Sequence, residues 1–187
     1  MLTVLVLVVV VVIVLFLGGF LLMYNRLIKL RTYTQEGWSQ VDVQLTRRAD
    51  LIPDLVATVQ GYANYEKAVL NQITQLRTRT ILPPNGPAER FVAEQRVSDA
   101  VPTMFAVAEN YPNLKASENF LALQVELTGA EDRIAAARRI YNANVRDYNN
   151  ACATVPSSIV ASMFNFVPQE FFSAPEGARA VPNVSLR

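Results

Sequence analysis

The sequence predicts an all-α protein: an N-terminal transmembrane helix followed by an elongated antiparallel bundle of three long helices and a short fourth. Three observations carry this. Residues 1–23 contain no Asp, Glu, Lys or Arg, and only Thr3, Gly18 and Gly19 among them are not hydrophobic. Beyond that block, apolar residues recur at spacings of three and four over long stretches, the period of a helix that buries one face. No run bounded by turn residues reads as a strand, because the membrane segment already accounts for the valine-rich block.

The first element follows from length. A helix rises 1.5 Å per residue, so about 20 apolar residues cross the roughly 30 Å hydrocarbon core, and residues 2–23 are sufficient. A cleaved secretory signal would have a basic start, a shorter apolar stretch and a small-residue cleavage site. Here the basic start is missing and Phe20, Leu21 and Leu22 follow Gly18-Gly19, so the segment reads as an uncleaved anchor. The two glycines offer a notch for close packing. Arg26, Lys29 and Arg31 follow the span and only the terminal amine precedes it. The positive-inside rule then predicts an outer N-terminus and a cytoplasmic bundle.

The second element spans about 24–79. Its apolar face is Trp38, Val41, Leu45, Ile52, Leu55, Val59, Tyr62 and Val69. Pro53 removes a donor and crowds the preceding turn, which predicts a bend within a continuous helix. Gly61 costs about 1 kcal/mol relative to Ala without ending the element. The run Leu82-Pro83-Pro84-Asn85-Gly86-Pro87 is a loop. A second bundle helix is expected over 88–110 on Phe91, Val101, Met104, Phe105 and Ala108, with Pro102 kinking or shortening it and Tyr111-Pro112-Asn113 closing it.

The third long helix, 117–155, has the clearest pattern. A seven-residue frame puts Phe120, Leu127, Ile134, Tyr141 and Tyr148 on one seam position and Leu123, Ala130, Ala137, Asn144 and Ala151 on the other. Large residues facing mostly small ones suit close, nearly antiparallel packing. Asn144 is the polar exception, able to set register if a partner satisfies its amide. Ser117 or Asn119 caps the start. A short helix over 157–166 and an extended tail over 167–187, interrupted by Pro168, Pro175 and Pro182, complete the chain. The expected division is 1–23 anchor, 24–166 bundle and 167–187 tail.

Composition removes several functions. The 187 residues amount to about one domain, and 17 basic against 16 acidic side chains leave a net charge of +1, with no basic footprint for nucleic acid. With no histidine and one cysteine, Cys152, the chain cannot build Cys/His zinc sites, His-based triads or Glu-x-x-His di-iron sites. No cofactor, metal or small-molecule substrate is expected. Cys152 reads as a small buried or half-buried residue.

At this level of detail the chain resembles the LemA family of bacterial membrane-anchored helical proteins. The shared words are Tyr24-Asn25-Arg26-Leu27, then 38–45 from Trp38 to Leu45, then 47–56 from Arg47 to Val56, and Gly61-Tyr62. In the second half they are 111–116, 120–124, Glu131-Asp132-Arg133-Ile134, 137–142 and Tyr148-Asn149. The resemblance covers about 24–172. It implies a transmembrane helix in the bacterial inner membrane followed by a helical bundle, and no established activity. The family commonly carries His where this chain has Ala49 and Gly where it has Asn165, so a mechanism that needs that imidazole cannot operate here.

The densest polar cluster is Arg47, Arg48, Asp50 and Asp54 around Pro53, with Arg48 on the apolar seam. A seam arginine needs a partner or a wet exit. The first expectation is an interhelical ion pair or amide network, with Glu131 or Arg133 of the third long helix, that fixes register; the second is a polar notch where a partner's backbone or carboxylate docks on Arg47 or Arg48. Tyr62, Tyr65, Tyr141 and Tyr148 read as seam residues, and Trp38 as packing. Asn142, Asn149 and Asn150 read as a solvated stripe. Phe171 and Phe172 either fold back on the bundle or anchor a partner.

The leading functional expectation is a non-enzymatic scaffold or accessory subunit of a larger integral membrane protein complex, placed by the lipid bilayer. A self-associating sensor or organiser is the alternative. A carboxylate-based, metal-dependent hydrolase on Asp42, Asp50, Asp54 and Glu131 needs no histidine, but these acids come without a phosphate-binding loop.

Overall fold

Residues 1–62 and 87–173 are described by a computed structural model, in which every regular element is a helix. In chain order these are α1 (Leu2–Tyr62), α2 (Pro87–Ala108), α3 (Pro112–Lys115), α4 (Glu118–Ala153) and α5 (Ser157–Met163). The expected extension of the first helix to 79, Tyr65, Val69, the loop through Asn85-Gly86, and Pro175 and Pro182 lie outside the described residues.

Two unbroken helices carry most of this architecture. The apolar span and the first bundle helix are one element, because α1 continues through Pro53, whose exposed position lets its ring face solvent. Its buried positions are Leu27, Thr34, Val41, Arg48 and Leu55, spaced by seven, and Leu45, Ile52 and Val59, also spaced by seven. A strict seven-residue repeat keeps one seam against a neighbour. In α4 the seam Phe120, Leu127, Ile134, Tyr141 and Tyr148 is buried throughout, with Ala130, Ala137 and Ala151 on the second position. Burying each such Leu, Ile or Phe stabilises by about 1.5–3 kcal/mol.

The shorter elements differ in detail from the sequence expectations. Pro87 opens α2, where its missing N–H has no intrahelical partner to lose, and α2 continues through exposed Pro102. Tyr111-Pro112-Asn113 is not merely a closing turn, since Pro112 starts the single helical turn α3. Ser117 stands just before α4, and its carbonyl accepts the Leu121 N–H; Asn119 lies within the helix. The last helix ends at Met163, not Phe166. Asn165 takes a positive φ of 53°, and the Phe166 N–H bonds back to the Ala161 carbonyl at 2.9 Å. That is a Schellman stop, built on the left-handed residue that glycine usually supplies.

The described residues gather into two compact units. The first comprises Met1–Trp38 and Ile140–Gln169. Its core is Leu27, Tyr148, Ala151, Val160, Ala161 and Phe166, with Phe20, Met23, Tyr24 and Ile28 packed against it. Here α1 and α4 run antiparallel. Asn144 Nδ2 donates to the Tyr33 carbonyl at 2.9 Å, and farther along α1 the Trp38 ring packs at a tilt on Tyr141, one turn earlier in α4. Between them Gly37 sits so close that an added Cβ would lie 3.2 Å from the Tyr141 Cα.

The second unit comprises the described residues of Ser39–Arg139 and Glu170–Arg187. Ile52, Leu55 and Val59 of α1 meet Val97, Val101, Met104 and Ala108 of α2, with Leu114, Phe120 and Leu127 closing the core.

Candidate functional site

The polar centre of the second unit is assembled around Arg48, which the seven-residue seam of α1 turns inward until its side chain is 1% exposed. Its guanidinium reaches two helices. Nη1 donates to Ser98 Oγ of α2 and to Glu131 Oε1 of α4, both at 2.6 Å. Nη2 donates to the Glu94 carbonyl at 3.2 Å and pairs with the Glu94 carboxylate. Ser98 Oγ in turn donates to Glu131 Oε2 at 2.9 Å. Arg90 extends the chain, with Nε on Glu94 at 3.0 Å and a guanidinium nitrogen 3.3 Å from Asp42. A planar fork with several donors suits this arrangement, whereas a lysine would supply one point charge.

Sequence reasoning anticipated Arg48 and Glu131 but not α2's contribution. The signal was present: Arg90, Glu94 and Ser98 are spaced by four and so share one helix face. It is masked by the apolar residues of the same segment, which carry the helical period on their own. Arg133, the other expected partner, is not in this network, and its guanidinium lies near Gly129.

The remaining candidates distribute over the surface of the same unit. Arg47 Nη2 pairs with Glu126 Oε2 at 3.3 Å, both about half exposed. Asp54 and Glu126 line an open groove of about 500 Å³ between α1 and α4, with Leu51, Ala57, Thr58, Asn119, Ala122 and Leu123. Asp50 is exposed on α1. Phe171 is exposed, while Phe172 folds back, 2% exposed, with its ring edge-on to Phe91 at 5.4 Å. Arg138 covers Phe91 at 5.4 Å. Asp54 thus lines the groove, Arg47 pairs with Glu126 of its lining, and Arg48 and Phe172 are spent within the unit. Asp42, Asp50, Asp54 and Glu131 do not gather into a metal-holding group, and among the described residues no three His, Cys, Asp or Glu side chains do.

In the first unit the asparagine stripe needs correction. Asn149 is not simply solvated: its Nδ2 donates to the Gln169 carbonyl at 2.9 Å and its Oδ1 accepts the Gln169 N–H at 2.8 Å. Tyr148 Oη donates to the Val167 carbonyl at 3.1 Å, so two consecutive α4 residues hold the strand of chain after α5. Burial, helped by a hydrogen bond to Cys152, pushes the Tyr148 phenol up to about 12 against the opposing charge of Arg31. Burial raises the Cys152 thiol as well, which leaves it short of thiolate and unsuited to nucleophilic work.

A family model described as the LemA family matches residues 37–186. Protein LemA of Metamycoplasma hominis is 27% identical over 155 residues, covering 81% of this chain and 69% of that protein. Magnetosome protein MamQ 2 of Paramagnetospirillum magneticum is 24% identical over 182 residues, covering 84% of this chain and 67% of its own. Magnetosome protein MamQ of Magnetospirillum gryphiswaldense is 22% identical with the same coverage.

Proposed function

The chain belongs to the LemA family, and on that premise we propose that it is a single-pass protein of the bacterial inner membrane whose helical bundle serves as a non-enzymatic scaffold or accessory subunit of a larger membrane complex. The observation that carries this reading is the continuity of α1. Its first turns are long and apolar enough to cross a bilayer, and residues 2–17 are exposed. The same helix then supplies Arg48 to the buried network, Asp54 to the groove and Arg47 to the pair with Glu126 of its lining. Arg26, Lys29 and Arg31 are exposed just beyond the span, which favours a cytoplasmic bundle and an outer N-terminus.

In this reading the partner docks on the groove rim, where Arg47 offers a guanidinium and Asp54 a carboxylate, and exposed Phe171 supplies an apolar anchor. Crosslinking mass spectrometry in native membranes should recover a second membrane protein joined near residues 47–54. Arg47→Glu should reduce that recovery at least about threefold and leave thermal stability nearly unchanged, because an exposed pair such as Arg47–Glu126 contributes at most about 1 kcal/mol. Purification that yields only a monomer, with no reproducible companion, overturns the reading. Crosslinks confined to identical positions on two copies would instead identify a homo-oligomeric organiser.

A further inference from the structure

We propose that α5 and the turn after it form a second membrane contact, a wedge seated at the headgroup boundary beside the anchor. The inference rests on the reading of α1 as a transmembrane helix.

The first observation is an apolar outer face. The inner face of α5 is Val160 and Ala161, both buried in the first unit's core. A short helix of a water-facing bundle would then carry polar residues outside. Here Ile159 is 56% and Met163 64% exposed, one turn apart, and they are flanked by Val155, Phe164 and Val167 at 79%, 48% and 66%. The second observation is charge. From Tyr148 to Gln169 there is no Asp, Glu, Lys or Arg, and Asp147 and Glu170 bound the run. Outside residues 1–23, bundle segments otherwise mix charges freely with apolar residues.

Position selects the partner. The Phe164 ring lies 5.9 Å from Phe20 and 4.8 Å from Tyr24, and Phe20 belongs to the span. Phe20 is six and Tyr24 two residues before Arg26, the first charge after the span, so the Phe164 ring, packed between them and nearer Tyr24, sits roughly 3–9 Å closer to the bilayer centre than that charge. Headgroup regions are about 5–8 Å deep on each side. On the reading of α1 as the span, Phe164 therefore lies at headgroup depth on the lipid side of Arg26, where the exposed face of α5 meets lipid. Arg26, Lys29 and Arg31 stand farther along α1, exposed, at the height of lipid phosphates. Arg31 lies over the Phe166 ring at 5.6 Å, which ties the cationic level to the turn that ends α5. An apolar wedge below a cationic belt is the pattern of an interfacial element on an anionic bilayer.

The test uses the full chain with Cys152→Ser, reconstituted into phosphatidylcholine vesicles containing phosphatidylglycerol, with an environment-sensitive fluorophore on Ile159→Cys or Met163→Cys. Reference labels go on Val10→Cys in the span and on Val125→Cys, an exposed apolar site in the second unit. Lipids brominated near the headgroup should quench labels at 159 and 163 at least about twofold more than at 125. Quenching at 10 by deeply brominated lipid, with 159 and 163 no different from 125, overturns the wedge and leaves the anchor standing. Absence of quenching at 10 overturns the anchor and the wedge with it. A blue-shifted label at 159 that no brominated lipid quenches signals a protein contact and also overturns the proposal.

Discussion

Arg48 sets the energetics at the scale of single residues. Its charge has left water, and it is compensated by Glu94, Glu131 and Ser98 on two other helices. Taking away one member of a buried pair costs about 3–5 kcal/mol, because the remaining charges are stranded, whereas replacing the whole set by uncharged groups is often neutral. Arg48→Ala is therefore expected to lower unfolding free energy by about 3–5 kcal/mol, and Arg48→Met combined with Glu94→Gln and Glu131→Gln to recover most of it, as measured by denaturant melts in detergent. Equal losses in the single and triple variants would show that shape, not charge, is at stake. Tyr148 makes the second residue-scale prediction. Its folded-state value of about 12 lies above the ordinary phenol value of 10.0. Its contribution to stability is thus complete below pH 10 and lost as pH rises through about 12. Cys152, raised in the same sense, adds to the alkaline loss. Thermal midpoints should fall above pH 10 more steeply in the native chain than in Tyr148→Phe.

Two glycines of α1 separate propensity from packing at the scale of the element. Gly in a helix interior costs about 1 kcal/mol relative to Ala. At Gly61 nothing lies within 4 Å of an added Cβ, while at Gly37 the Tyr141 Cα and Asn144 Nδ2 are 3.2 and 3.1 Å away. Backbone of a packed helix does not yield easily, and overpacking costs about 1–3 kcal/mol. Gly61→Ala should stabilise by up to about 1 kcal/mol, and Gly37→Ala should destabilise by a similar amount, seen as melting shifts of opposite sign. The heptad frame of α4 was readable because large and small residues alternate on its two seam positions. The value of Gly37 was not, because an intrahelical glycine has the same letter whether it faces solvent or the backbone of another helix. Asn165 is an intermediate case: the family resemblance implies a Gly there, but the left-handed φ that favours one is visible only in the fold.

For the whole molecule, the proposed topology rests on the asymmetry of charge around the apolar segment: Arg26, Lys29 and Arg31 follow it, and the positive-inside rule assigns that flank to the cytoplasm. Replacing all three by Gln should shift a measurable fraction of molecules to the opposite topology, detected by impermeant thiol labelling of a cysteine placed at Val125. Unchanged labelling would show that folding of the bundle, and not flanking charge, sets the orientation. The sequence alone determined the all-α class, an apolar segment long enough to cross a bilayer, the seams of α1 and α4 and the family. The class, the apolar segment and the seams follow from periodicity or composition and the family from short shared words, all of which are local along the chain. It also marked Arg48 as a residue in need of partners. Only the tertiary structure decided which partners, turning the Arg90, Glu94 and Ser98 face of α2 toward Arg48, withdrawing Phe172 from the surface and tying Gln169 to Asn149. The physical reason is that a buried charge or amide announces a requirement in one dimension, but which distant groups satisfy it depends on how helices meet in three.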